Sequence, residues 1–232
     1  MTHRRINYLT RIFLKQKTFI LLLLIVIPLS IHSQNFTGYG LRFGYATNDY
    51  GWSHPDNYLD TAYLQPTSYT IRVGLSGEFL NRKYISTAVN WGIKFRSYKF
   101  DYRIHNSSGA VVGLSSVKND ITWTTLGVAE KFRLPYGTWM IYAYGGFEAS
   151  YRIGKNISAG FENVFDNSKK YSIGILSGAG IAKGIGNFLI SAEFYFIPDL
   201  TKTYTSDAGQ VRNTEMGISL GFGLFDAEHM LK

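Results

Sequence analysis

The chain has 232 residues, of which 45% are hydrophobic, 16% aromatic and 17% charged, with a formal net charge of +8 and no cysteine. Lack of cysteine excludes a disulfide framework and a lipid-modified cysteine anchor. The positive balance would suit nucleic acid, but its distribution along the chain removes that reading.

Arg4, Arg5, Arg11, Lys15 and Lys17 form a positive run without a nearby acid, followed by the apolar stretch 18–31. About 14 residues fall short of the ~20 that cross a bilayer as a helix. A positive flank, an apolar centre and small Ser33 predict a secretory signal peptide over 1–33, cut before Gln34. Removing its five cations leaves 19 Lys and Arg against 16 Asp and Glu, near +3. Most of the excess charge is therefore targeting information, and no nucleic-acid partner is expected.

The remainder, 34–232, suits one domain. It shows no long amphipathic helix pattern, and alternation with period two recurs instead. The first predicted strand, 37–47, sets Tyr39, Leu41, Phe43 and Tyr45 against Gly38, Gly40, Arg42 and Gly44. The second, 68–79, sets Tyr69, Ile71, Val73 and Leu75 against Thr70, Arg72, Gly74 and Ser76. The third, 84–101, sets Ile85, Val89, Trp91, Ile93 and Phe95 against Ser86, Asn90, Gly92, Lys94 and Arg96. Its phase shifts after Ser97, which predicts a bulge or an extension beyond the membrane.

The fourth strand, 121–134, carries Leu126, Val128, Phe132 and Leu134 on one face; Glu130 breaks that face, as a residue near the interface would. The fifth, 138–153, places Ile141, Ala143, Phe147, Ala149 and Tyr151 opposite Tyr142, Tyr144, Glu148 and Arg152. The sixth, 171–182, places Tyr171, Ile173, Ile175, Ala179 and Ile181 opposite Ser172, Gly174, Gly178 and Gly180. The seventh, 188–197, places Phe188, Ile190, Ala192, Phe194 and Phe196 opposite Ser191 and Glu193. In the eighth, 215–225, Met216, Ile218, Leu220, Phe222 and Leu224 oppose Glu215, Gly217, Ser219, Gly221 and Gly223. Connections 48–67, 102–120, 154–170 and 198–213 are long and polar, whereas 80–83, 135–137 and 183–187 are short.

Volume decides which face is inside. Eight strands enclose a lumen that side chains just fill. Rings of Phe, Tyr, Trp and Leu from every strand would overfill it, while glycine, serine and a few charges fit. The expected fold is thus an all-β, eight-stranded antiparallel up-and-down transmembrane barrel with its bulky face in lipid. An even strand number, short turns at one end and long loops at the other predict periplasmic termini and four extracellular loops in a cell outer membrane.

With its leader and eight alternating strands, the sequence resembles the PorT-like outer-membrane β-barrel family of Gram-negative bacteria, and small eight-stranded porin-like barrels. The last strand resembles the C-terminal signal read by the barrel-assembly machinery, on Glu215, Gly217, Leu220 and Phe222. It departs from that pattern in one respect: Phe225 is followed by DAEHMLK, where many barrels end on an aromatic residue. The resemblance implies a non-enzymatic scaffold or accessory in the outer membrane. Its partners would be lipid, the assembly machinery during insertion and, as for some family members, secretion-system proteins.

The expected lumen network comprises Arg42, Arg72, Lys94, Arg96, Glu148, Arg152, Glu193 and Glu215. Charges in a narrow interior must be paired, and the alternative for such a set is a gated ion path. Trp52, His54, Tyr58 and Tyr63 in the first loop are candidate partner contacts. His54 lies near Asp49, Asp56 and Asp60, and His105 beside Ser107 and Ser108. These sustain one alternative, a loop-based lipid-modifying enzyme or protease, because general acid–base chemistry needs histidine beside a nucleophile or water. Neither a cofactor nor a metal is expected. Tyr45, Tyr69, Trp123, Trp139 and Tyr171 are candidates for interfacial aromatic girdles.

Overall fold

The computed structural model describes residues 38–53, 67–82, 84–105, 109, 111–158, 169–202, 204–206 and 209–225. The leader 1–33, the tail 226–232 and His54, Tyr58 and Tyr63 lie outside the described residues. Nine antiparallel strands form one sheet: β1 (Gly38–Ser53), β2 (Thr67–Arg82), β3 (Ile85–His105), β4 (Val111–Tyr136), β5 (Trp139–Asn156), β6 (Tyr171–Ile185), β7 (Phe188–Pro198), β8 (Tyr204–Ser206) and β9 (Gly209–Phe225). Each of β1 to β6 pairs with the next, β7 pairs with β9, and β9 pairs back with β1. Eight strands therefore close a barrel, and the three-residue β8 is an extra strand against the upper part of β9.

Closure carries a stagger. The register followed from Phe79 passes through Thr87, Glu130, Gly145, Ser177, Phe196 and Met216 to Thr47. Gly38 pairs with Glu78, one residue short of Phe79, and Thr47 lies nine residues beyond Gly38, so the circuit returns ten residues along. Eight strands with that stagger tilt about 40° from the barrel axis, and each residue climbs about 2.5 Å along it.

The alternation of the sequence becomes two walls. Tyr39, Leu41 and Phe43 of β1 face outward, as do Ile71, Val73 and Leu75 of β2, Ile218, Leu220 and Phe222 of β9, and their counterparts on every other strand. Inward stand Thr70, Lys94, Arg96, Glu148, Glu193, Glu215 and Ser219, all buried.

The strands run further than alternation signals. The expected loop 102–120 is largely a β-hairpin, with Tyr102 opposite Ser115 and Ser97 opposite Asp120. Residues 48–53, expected in the first loop, extend β1, where Trp52 pairs with Val211. The physical reason is common to both. Beyond the apolar belt both faces meet water, so the period-two signal fades, while a register already set keeps satisfying backbone groups.

No bulge occurs at Ser97: the ladder is unbroken there, and Tyr98 keeps the inward phase of Lys94 and Arg96. The irregularity lies opposite, where Thr122 and Trp123 of β4 face Gly154 and Arg152 of β5 and leave Ile153 as the extra residue. Trp123 is a further correction. It is not a girdle residue but is buried in the lumen with Tyr98 and Ile121. Tyr45, Trp139 and Tyr171 do face outward, and Tyr45 stacks on Tyr69 at 6.3 Å between ring centroids.

The lumen thus holds aromatic side chains as well as charges, and glycine makes the room. A Cβ on Gly178 would lie 2.5 Å from the Tyr144 hydroxyl, and one on Gly180 2.8 Å from that of Tyr142. Each tyrosine spans the interior only because the next strand offers no side chain. Gly178→Val is therefore expected to lower barrel stability by about 1–3 kcal/mol. Gly154→Ala, whose Cβ would meet Thr122 at an ordinary 3.6 Å, is expected to stay within about 0.5 kcal/mol. Urea unfolding in detergent, followed by tyrosine and tryptophan fluorescence, measures both.

Candidate functional site: the charged lumen

Alternating positions on seven strands aim their charged groups at one another. In the middle of the barrel, Arg72 from β2 grips Glu148 from β5 with both terminal nitrogens, at 2.6 and 2.9 Å. Its Nε donates to Glu215 of β9. Arg96 Nη2 donates to the other oxygen of Glu215 at 2.9 Å, and Lys94 Nζ lies 3.3 Å from Glu148 and 3.7 Å from Glu215. Two carboxylates thus face three cations. Buried Asp199, accepting from Ser172 at 3.5 Å, adds a third carboxylate within electrostatic reach of Arg96 and Lys94. Arg96 Nε donates to Thr70, which Asn48 also holds at 2.9 Å.

A second layer lies towards the short turns. Arg42 of β1 pairs with Glu193 of β7 and donates to Asn90 at 3.0 Å and to Ser219 at 3.3 Å. Glu193 accepts further hydrogen bonds from Tyr142 at 2.7 Å, Tyr144 at 3.3 Å and Ser219 at 3.3 Å. Four donors on one carboxylate satisfy it inside a medium where an unpaired charge would be costly.

The third layer was not singled out from sequence. Glu78 pairs with Lys131, accepts from Ser86 at 3.3 Å and lies 3.7 Å from Arg133. Its signal was present: Glu78 continues the inward phase of Ser76, and Lys131 and Arg133 alternate with the outward Phe132 and Leu134. Arg152, expected in the central network, is buried one layer higher on the lumen side, opposite Trp123. Trp52 lies in β1, and His105 ends β3.

Tyrosine rings join the layers. Arg72 sits over Tyr195 at 5.2 Å from the ring centroid, Lys131 over Tyr142 at 4.1 Å and Arg42 over Tyr144 at 6.0 Å, all cation–π geometry. Among the described residues are cavities of about 50 and 60 Å³, and Arg42, Asn90 and Tyr144 border both. A water needs roughly 10–15 Å³ on this measure, so each cavity has room for a few waters. Charged side chains and Tyr142, Tyr144 and Tyr195 occupy the middle of the described lumen. Among the described residues no group of three or more potential ligands could hold a metal ion.

A closed eight-stranded antiparallel barrel, apolar outside and charged within, defines the class of fold. No family model matches the chain, and no curated protein does. Among solved structures it is similar to the outer membrane protein OprG from Pseudomonas aeruginosa, with a TM-score of 0.54 at 9% identity over 83% of this chain and 97% of that one. Neisserial surface protein A aligns over 81% of this chain and 97% of its own, at 12% identity and a TM-score of 0.44. Outer membrane protein W of Escherichia coli aligns over 84% and 100%, at 13% and 0.40. The likeness to OprG is a likeness of fold.

Removing one member of a buried ion-pair cluster strands its partners, at a cost of about 3–5 kcal/mol. Glu215→Gln is expected to destabilise the barrel by that order, since Arg72, Arg96 and Lys94 all converge on it. Glu193→Gln is expected to lose less, because it strands a single cation, Arg42, which keeps its hydrogen bonds to Asn90 and Ser219. Thermal unfolding in the same detergent, read by the loss of β-sheet circular dichroism, ranks the two.

Proposed function

We propose that the chain is an integral outer-membrane β-barrel of a Gram-negative bacterium, acting without catalysis as a scaffold or accessory that binds partner proteins through its loops or turns. One observation carries this reading: the outward wall is apolar on every strand of a closed barrel. Such a surface is covered by lipid or not at all. Its belt spans about ten residues per strand, which at the observed stagger is about 25 Å, the height of the apolar band of such barrels. Outward Trp139 and Tyr136 near one end and Tyr171 and Tyr151 near the other suit the two interfaces.

Several finer statements belong to the same proposal. Residues 1–33 are a signal peptide removed on export. Both termini and the three short turns are periplasmic, and the four longer connections are extracellular. Glu215, Gly217, Leu220 and Phe222 on β9 are read by the assembly machinery, with Leu220 and Phe222 presented outward and Glu215 held inward. The filled lumen favours a structural part over a diffusion channel, and secretion or envelope assembly is the process in which an accessory of this shape serves.

Three measurements test this. The mature chain is expected to fold only in detergent or lipid; a soluble monomer in plain buffer sinks the proposal. In planar bilayers neither the wild type nor Glu193→Gln is expected to conduct appreciably, and a large new conductance in the variant would make the Arg42–Glu193 layer a gate. Affinity isolation of tagged protein from detergent-solubilised outer membranes is expected to recover envelope proteins. Isolation alone, with lipid or peptide hydrolysis that His54→Ala or His105→Ala abolishes, would replace the scaffold with an enzyme.

A further inference from the structure

Beyond the belt, β3 and β4 outrun the strands on either side of them. β3 pairs with β2 as far as Lys99 opposite Thr67, and β4 with β5 as far as Asp120 opposite Asn156. With each other they continue, from Lys99 opposite Lys118 to His105 opposite Val111. On the β5 side of this overhang, Ser158 donates its backbone N–H to Asn119 Oδ1 at 2.8 Å and its hydroxyl to Lys118 O at 3.1 Å. Past that point, among the described residues, β4 has a ladder on one side only. Tyr151, near the outer end of the belt, pairs with Thr124, and Val111 lies thirteen positions further along β4. At about 2.5 Å per residue the edge ends about 30 Å beyond that tyrosine.

A strand in an antiparallel pair turns the N–H and C=O of alternate residues to opposite sides. Along 111–117 half of these groups face β3 and half face away from it, an edge on which another strand can form. Folded proteins guard such edges with charges, proline, bulges or a covering segment. This barrel does so elsewhere. β9 outruns β7 beyond Thr214, and there β8 is laid along it, with Tyr204 opposite Val211 and Ser206 opposite Gly209. The other edge of the same hairpin, on β3, carries Lys99, Asp101 and Arg103. The β4 edge has neither device. Its sequence over 111–117 is VVGLSSV, without charge or proline, and the one register shift of this hairpin lies at its tip, between Ile104 and His105. Val111 and Val112 are 51% and 61% exposed, and Ser116 is exposed between them and the barrel.

Resting on the scaffold reading above, we propose that the β4 edge over 111–117 receives an extended segment of another protein outside the cell, added as the next strand of the sheet. The unpaired groups fix the chemistry of the occupant. An extended backbone offers N–H and C=O in alternation at the repeat of a strand, and in such additions the main chain supplies the affinity while side chains select. β8 on β9 is the same contact made within the chain. The entering segment is uncharged, with small or β-branched side chains, because the neighbours it meets are of those kinds.

The mature chain, folded in detergent micelles and isotope-labelled for amide exchange, tests this with a blocked heptapeptide of alternating threonine and valine as probe. Every second amide of 111–117 is expected to exchange freely in the chain alone and to be protected when the peptide is added. The same peptide with two adjacent N-methyl groups at its centre, which interrupt both of its edges, is expected to bind at least tenfold more weakly. The unmodified peptide is expected to lose as much on the double variant Val112→Lys, Ser116→Lys, in which cross-strand contacts between β3 and β4 report that the hairpin is intact. Amides of 111–117 that are all protected in the chain alone show an edge already covered, by the chain itself or by a second copy, and overturn the proposal; sedimentation separates the two. Absence of saturable binding, or equal binding of the N-methylated peptide, overturns it as well. Each of these leaves the scaffold reading standing with its contacts elsewhere, whereas a chain that folds and stays soluble without detergent overturns the membrane reading itself.

Discussion

The ladder between β1 and β9 is the constraint on which everything else rests. It runs from Gly38 opposite Phe225 to Ser53 opposite Gln210, and it turns an open sheet into a barrel. An open sheet would present two rows of unpaired amides and carbonyls, untenable in hydrocarbon. Closure with a stagger of ten residues also fixes the width and tilt, and so the room inside. Every lumen side chain must fit that volume and find its partners there.

The sequence meets this demand in two ways. Long cations and carboxylates cross the lumen and pair, in layers centred on Glu78, Glu193, and Glu148 with Glu215. Tyr142, Tyr144 and Tyr195 then occupy what remains, facing strands that give way with glycine, as Tyr144 does to Gly178. Such charges do not hold the barrel together more tightly than packed hydrocarbon would. Their value is geometric: each bidentate or hydroxyl-supported contact fits one register, and slipping a strand by one residue would send the charges into lipid. The paired interior and the apolar exterior specify the same register twice.

The two faces of each strand were legible because period two is imposed by the pleat itself. Arg42, Arg72, Lys94, Arg96, Glu148, Glu193 and Glu215 all fall inward for that reason. At Trp123 phase outranks residue type: it shares the parity of Thr125, Gly127 and Ala129, which are buried. Lys131, Arg133 and Glu78 carry the same inward parity, Lys131 and Arg133 alternating with the outward Phe132 and Leu134. The β3–β4 hairpin above the belt, and the short β8, left no trace, since strands wetted on both faces need no alternation.

By itself, then, the sequence determined the eight barrel strands, the closed antiparallel class and the facing of most of their residues, because those follow from local alternation and a volume limit. The tertiary structure alone decided which charges meet. Arg72 and Glu215 are 143 positions apart, and nothing local sets the stagger that brings them together. It also decided that Glu130 stands amid the apolar wall rather than near its edge, between the outward Val128 and Phe132. Depth in a tilted barrel depends on the register of every strand around the circuit, a quantity that no single segment carries.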